Sequence, residues 1–288
     1  MSGDQTVLPH RADGQPYRRY SDAIVALSAS AHLRDLPTYR LLSASLRDGP
    51  RLVFGPGTYF DGLDTGEAAA HEYAGAVLGE LDTQPLREAI GDPTELRRRP
   101  ANLALSALTL RHDRATGAVT MPLHRRDPAK VGHAGGMIQV IPVGVFQPLA
   151  PATVAADLSL WRSMLREYAE ELLGAAEDYA VPFDYDAWPF GARMNAGVRA
   201  GHVRARVLGL GVDPLTFATD LLVTVVFDAP TYDDLFAEAV AVNAEGSVLP
   251  AVPFTDSSVD HYAAHQPTQA AGAALLRLAH HHRATLLA

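Results

Sequence analysis

The feature that most constrains this chain is a change of texture after Arg97-Arg98-Arg99-Pro100. Residues 101–111 and 118–124 are rich in apolar and β-forming side chains. The six residues between them, His112-Asp113-Arg114-Ala115-Thr116-Gly117, have the polar and glycine character of a hairpin connection. A glycine pair, Gly135-Gly136, then introduces a further apolar strand at 137–142. The pattern continues with a long helix at 153–173, strands at 202–210 and 221–227, a helix at 232–243 and an alanine-rich helix at 266–287 containing His280-His281-His282. Strands flanking a long amphipathic helix must bury apolar faces on both sides of a sheet. The expected fold is therefore α/β (α+β), a layered structure with a mixed sheet. No internal repeat is evident.

The first hundred residues read as mostly helical. Turn signals fall at Asp48-Gly49-Pro50 and Gly55-Pro56-Gly57, with a short strand, Arg51-Leu52-Val53-Phe54, between them. Asp64-Thr65-Gly66-Glu67 is expected to open a helix reaching about Leu81, with Asp64 as its cap. His71-Glu72 begins like a zinc-protease motif but has no second histidine four residues on, and reads as a surface pair with Glu67. The expected division is a helical extension over 1–100, a central domain over 101–255 and a helical tail over 256–288.

With 288 residues, 48% of them hydrophobic and 20% charged, the chain is long enough to bury a substantial core. A formal charge of -9 argues against a broad electrostatic grip on nucleic acid or anionic lipid. The absence of cysteine removes disulfides, thiol nucleophiles and thiolate metal sites, so any chemistry must use oxygen or nitrogen. The N-terminus lacks a charged segment followed by an apolar one, and no apolar run has membrane-spanning length. A cytoplasmic chain with no membrane partner is expected.

The most informative segment runs from Asp157 to Gly174. Leu158, Trp161, Leu165, Tyr168 and Leu172 recur at helical spacing and define one buried stripe. Glu167 and Glu171 fall together on the flank of that stripe, whereas Arg166 and Glu170 point more nearly to the opposite side. Like charges four residues apart cost a helix about 0.2–0.5 kcal/mol. Anions near a helix C-terminus also oppose the macrodipole. A hard cation reverses the sign of both effects, because Mg²⁺ takes carboxylate oxygens and shares its remaining positions with water and phosphate.

Here the residues carry a resemblance. Arg166-Glu167-Tyr168-Ala169-Glu170-Glu171-Leu172-Leu173-Gly174 resembles the core of the Nudix box, G-x5-E-x7-R-E-U-x-E-E-x-G-U with U a bulky apolar residue. Leu123-His124-Arg125-Arg126-Asp127-Pro128 and the glycine-led strand 135–142, taken with the acidic helix, are similar to Nudix-like domains of actinobacterial proteins. The box glycine falls at Ala152 and the first box glutamate at Leu158, with Asp157 one place out of register. Leu173 holds the later glycine position, and Gly174 comes one residue late.

The resemblance implies an α/β/α sandwich over 101–255. It implies Glu167 and Glu171 as ligands to Mg²⁺ or Mn²⁺, Glu170 as a supporting acid and Arg166 as the arginine that orients them. It further implies a hydrolase that cleaves a phosphoanhydride in a nucleoside-diphosphate-linked metabolite. The alternatives are a non-hydrolytic nucleotide or metabolite sensor, or a fold recruited to a biosynthetic step on a non-phosphate substrate. The expected partner is a nucleotide-like small molecule, and the expected assembly a homodimer.

His124, Arg125 and Arg126 end a strand, and His133 lies in the glycine-containing loop that follows. These four are the candidate substrate contacts, the arginines for phosphate and His133 as a base or hydrogen-bonding group. Asp184, Asp186 and Trp188 either line a ligand mouth or pack their loop onto the domain. No G-x-G-x-x-G, P-loop or G-x-S-x-G motif is present.

Overall fold

The computed structural model describes residues 8–27, 33–47, 49–131, 134–177, 179 and 181–288. The elements are α1 (Tyr20–Leu27), β1 (Pro37–Ser45), β2 (Arg51–Thr58), α2 (Tyr59–Leu78), α3 (Pro85–Ile90), β3 (Leu103–His112), β4 (Val119–Arg126), β5 (Ile138–Val140) and β6 (Val143–Val145), followed by α4 (Leu160–Leu173), α5 (Pro189–Arg199), β7 (Val203–Val212), β8 (Thr219–Asp228), α6 (Ala229–Leu235), β9 (Gly246–Pro253), α7 (Asp256–Asp260), α8 (Ala270–His281) and α9 (Arg283–Leu287). The chain forms two compact units. The first comprises Met1–Leu103, Phe146–Ala150 and Val212–Thr219, and the second comprises Ala104–Val145, Pro151–Gly211 and Asp220–Ala288.

In the first unit, β1 and β2 form an antiparallel hairpin, so the expected strand at 51–54 is the start of a longer one. α2 begins five residues before the expected Asp64. Its first turn is closed by Asp61, whose Oδ2 accepts from the Thr58 amide at 2.9 Å. Asp64 instead accepts from the Ser21 amide at 2.7 Å. Glu72 is not a surface residue. It is buried, and its two carboxylate oxygens accept from the amides of Leu86 at 2.8 Å and Arg87 at 3.0 Å, the first turn of α3. Leu8, Tyr20, Ala68, Ala69, Leu86, Ile90 and Phe217 make this unit's core.

The second unit is built on a sheet with the order β5-β4-β3-β8-β7, β6 pairing β3 and β9 pairing β4. Alternation along the strands sends side chains to two faces. Leu108, Leu110, Leu222 and Val226 pack with Val259, Leu275, Leu276, Ala279 and Leu286 from the C-terminal helices. On the opposite face the Thr109 hydroxyl meets the Tyr168 hydroxyl of α4 at 2.7 Å, and Tyr168 stacks against Phe227 and Phe236. The α/β class and its layers are those expected.

The expected helix over 153–173 is shorter. A 3-10 turn occupies Pro151–Thr153, and α4 starts at Leu160 because the Ser159 hydroxyl caps it, accepting from the Arg162 amide at 3.3 Å. Leu158, placed in the buried stripe by periodicity, lies before the cap and is 52% exposed. Leu165, Tyr168 and Leu172 are buried as the stripe requires. The helix expected at 232–243 is α6, beginning and ending earlier, after which the Val240 amide donates to the Leu172 carbonyl at 2.9 Å.

Although the chain has no long repeat, one turn recurs. In both the β3–β4 and β7–β8 connections an aspartate caps the turn: Asp113 accepts from the Ala115 amide at 2.9 Å and Asp213 from the Leu215 amide at 2.7 Å. The left-handed position is Gly117 in one and Phe217, at φ 58, in the other. Phe217 is held in that uncommon conformation by burial and by the Arg87 guanidinium 4.4 Å over its ring.

Candidate functional site

α4 carries its glutamates towards β6. Glu171 is buried at 4% exposure, and its Oε1 accepts from the Val143 amide at 2.6 Å. Its Oε2 has no hydrogen-bond partner among the described residues. Glu167, one turn earlier and partly buried, lays its carboxylate over the next residue of the strand: a Cβ built on Gly144 would lie 2.0 Å from the Glu167 Cδ. The two carboxylates expected on one flank of the helix therefore converge on Val143-Gly144. Any side chain at Gly144 requires the Glu167 carboxylate to move.

Burial pushes the Glu167 carboxyl well above the usual carboxylate range, Glu170 and Glu171 raise it further, and Arg166 offsets part of the rise. Burial likewise raises Glu171, with Glu245 adding to the effect and the Val143 amide opposing it. Glu170 is pushed up to about 7, chiefly by burial and then by Glu177.

Arg166 is also buried, and its guanidinium donates to the Tyr185 hydroxyl, which donates in turn to Asp157 Oδ1 at 3.2 Å. The arginine is thus positioned from the loop that follows α4. Asp157, one place from the missing box glutamate, contributes to that positioning.

Behind Glu171 lies a closed polar network. His124 has no exposure; its Nε2 is 3.1 Å from Asn243 Oδ1 and its Nδ1 3.4 Å from Gln139 Nε2. Burial, then Arg126, pushes the imidazole down to about 4, against the Asn243 hydrogen bond. His124 is therefore neutral at pH 7, and its 3.7 Å approach to Glu171 Oε2 is not an ion pair. Asn243 Nδ2 donates to the Glu171 carbonyl at 2.9 Å, while its Oδ1 also accepts from the Glu245 and Gly246 amides at 2.9 and 2.8 Å. Sequence reasoning missed Asn243 and Gln139, because each lies far from α4 in the chain and neither belongs to a motif.

The candidate substrate contacts are dispersed in character. Arg125 is exposed at the end of β4. Arg126 pairs with Glu245 at 2.8 Å and reaches Gln139 at 3.4 Å. His133 lies outside the described residues. In the loop before α5, Trp188 packs among Tyr179, Phe183 and Phe190, and Asp184 closes a turn through the Asp186 and Ala187 amides, each at 3.0 Å. His280 lies 3.4 Å from Asp256, and the His281 and His282 rings meet edge to face.

Hard carboxylate oxygens on a rigid helix suit Mg²⁺ or Mn²⁺, and Glu167 and Glu171, both directed at Val143-Gly144, are the residues that would hold such an ion. Among the described residues no group of three or more histidine, aspartate or glutamate side chains is placed to hold a metal ion. The remaining positions would fall to water or ligand oxygens.

Comparison with solved structures shows likeness to Nudix proteins. The chain is similar to the Nudix domain of Shewanella oneidensis NrtR complexed with ADP-ribose, at 16% identity and a TM-score of 0.39, covering 71% of this chain and 99% of that one. It is similar to a Nudix hydrolase from Alicyclobacillus acidocaldarius at 16% identity and a TM-score of 0.38, covering 62% and 90%. A MutT/Nudix family protein from Listeria innocua follows at 14% identity and a TM-score of 0.33, covering 65% and 95%. No family model and no curated protein matches the sequence. No helix among the described residues is long and apolar enough to cross a membrane.

Proposed function

We propose that the second unit is a Nudix-like domain that binds a nucleotide-like, phosphate-bearing small molecule through a divalent cation, Mg²⁺ or Mn²⁺, held by Glu167 and Glu171. The observation that carries this reading is the convergence of those two carboxylates on Val143-Gly144, with one Glu171 oxygen left without a partner. When bound, the cation would neutralise carboxylate and phosphate charge and polarise phosphate oxygens. Glu170 supports the acidic face, Arg166 stiffens α4 through Tyr185, and exposed Arg125 reaches for phosphate. His124, neutral and buried, serves to hold Glu171 rather than to touch the ligand.

Phosphoanhydride hydrolysis is the second reading. It is favoured by Glu170, whose carboxyl at about 7 is matched to proton transfer at neutral pH. Ala152 and Leu158, in place of the box glycine and first glutamate, favour binding without turnover.

A thermal-shift and turnover panel of nucleoside-diphosphate-linked metabolites, with ADP-ribose among the probes, tests both. Binding predicts stabilisation that requires Mn²⁺ or Mg²⁺ and disappears in Glu167→Gln. Hydrolysis adds a phosphate-containing product. Stabilisation that ignores both the metal and Glu167→Gln refutes the site.

A further inference from the structure

The first unit contains a cavity of about 590 Å³ walled by Arg11, Tyr17, Arg18, Ser21, Asp22, Val25, Ala26 and Phe60. One wall is a tight loop. The Arg11 amide donates to the Gln15 carbonyl at 2.7 Å, the Gly14 amide to the Arg11 carbonyl at 3.0 Å and the Tyr17 amide to the Pro9 carbonyl at 2.9 Å, with Gly14 in the left-handed region. The other lining residues come from the length of α1 and the first turn of α2. Knitting the loop through its own backbone fixes Arg11 and Tyr17, whose side chains meet each other and make no hydrogen bond or ion pair among the described residues.

Three features of the wall are unspent. Arg11 and Arg18 are exposed, and neither is in an ion pair among the described residues. Asp22 is the single carboxylate among the lining residues, against two arginines. Ser21 is 1% exposed, and its hydroxyl has no hydrogen-bond partner among the described residues, an expensive state for a buried polar group. The rings of Tyr17 and Phe60, with Val25 and Ala26, supply an apolar floor. Arg11 already lies 5.1 Å over the Tyr17 ring, so a flat ligand stacking there meets a cation and an aromatic face together.

We infer that this cavity is a binding site for a small planar aromatic anion, its ring between Tyr17 and Phe60 and its carboxylate or phosphate on Arg11 and Arg18, with the Ser21 hydroxyl completing the polar contacts. The volume suits one ligand of nucleotide size. The site is independent of the acidic helix and needs no metal.

The test is calorimetric titration of the full chain in EDTA, which silences any cation-dependent site. Indole-3-acetate supplies a ring with a carboxylate, AMP a ring with a phosphate, adenosine a ring alone and inorganic phosphate an anion alone. Saturable binding of indole-3-acetate or AMP, with adenosine and phosphate each at least about tenfold weaker, is expected. The better of the two aromatic anions identifies the acidic group. Arg11→Ala and Arg18→Ala should each weaken that binding about tenfold while leaving the melting temperature unchanged, since both side chains are exposed. The inference is overturned if neither aromatic anion binds, if adenosine or phosphate alone binds equally well, or if the arginine variants bind like the parent chain.

Discussion

Gly144→Ala separates what β6 does for the fold from what it does for the site. The new methyl would lie 2.0 Å from both Cδ and Oε1 of Glu167 and 2.3 Å from Oε2, so both cannot stay where they are. The obstacle is the free end of a flexible side chain rather than backbone, and the φ of Gly144 lies outside the left-handed region. Alanine in a compatible conformation gains about 0.4–1 kcal/mol by restricting the unfolded chain. Pushing Glu167 from its rotamer costs about 0.5–1.5 kcal/mol. The two nearly cancel, and global stability in urea should change by less than about 1 kcal/mol. The carboxylate, however, is displaced from the strand. Freed from part of its burial, it should titrate closer to the ordinary carboxylate range, visible as a lower midpoint for the Glu167 Cδ in carbon-detected NMR. Mn²⁺ stabilisation should fall by the order of 10- to 100-fold in apparent affinity. The reasoning fails if Gly144→Ala unfolds the protein, or if the Glu167 midpoint stays high and Mn²⁺ binds as before.

Other expected outcomes follow from the same contacts. Glu72→Ala strips two buried amides of their acceptor and should cost about 3 kcal/mol in urea unfolding, with Glu72→Gln milder because it keeps one carbonyl. Asn243→Ala leaves the Glu171 carbonyl, the Glu245 and Gly246 amides and His124 Nε2 unmatched, and should cost about 3 kcal/mol. Stability without divalent cations should fall as pH rises from about 4.5 to about 7. Glu170 is held protonated to about 7 in the folded chain, and Glu167 and Glu171 are raised too; these three outweigh buried His124, whose lowered imidazole acts the other way, so across that window the unfolded chain binds fewer protons. Denaturation midpoints at pH 5, 6 and 7 check this, and a rise with pH would contradict the assigned shifts.

The sequence shows the second unit well because its information is local. The polar turn at 112–117 sits between apolar runs, and the stripe Leu165, Tyr168, Leu172 needs only the helical period to be recognised. The Glu167–Glu171 flank follows from the same period. The start of α4 was misplaced because periodicity does not see a cap, and Ser159 in a run of apolar residues carries little signal. Glu72 was misread for a related reason. Its acceptors' donors, the amides of Leu86 and Arg87, lie on the next helix, and side-chain identity alone does not announce a carboxylate that caps a neighbour. Asn243 and Tyr185 organise α4 from 72 and 19 residues away, with Gln139 one step behind through His124, and such contacts are set by tertiary packing rather than by pattern.

The burial that raises the carboxyl groups of α4 also determines how the helix divides its work. Glu171 is fixed twice, by the Val143 amide at its head and by the Asn243 amide at its backbone carbonyl, so its orientation exists before any ligand arrives. Glu167 is placed by its contact with Gly144, and Glu170 interacts with Tyr179 in the loop after the helix. An acid held in place with one oxygen unpaired competes for either a proton or a cation, and burial strengthens its interaction with both. Cation binding at this face must therefore release protons and tighten with rising pH. Proton release on Mn²⁺ addition, measured in weakly buffered solution near pH 7 and lost in Glu171→Gln, distinguishes a carboxylate site on α4 from adventitious binding elsewhere on the surface.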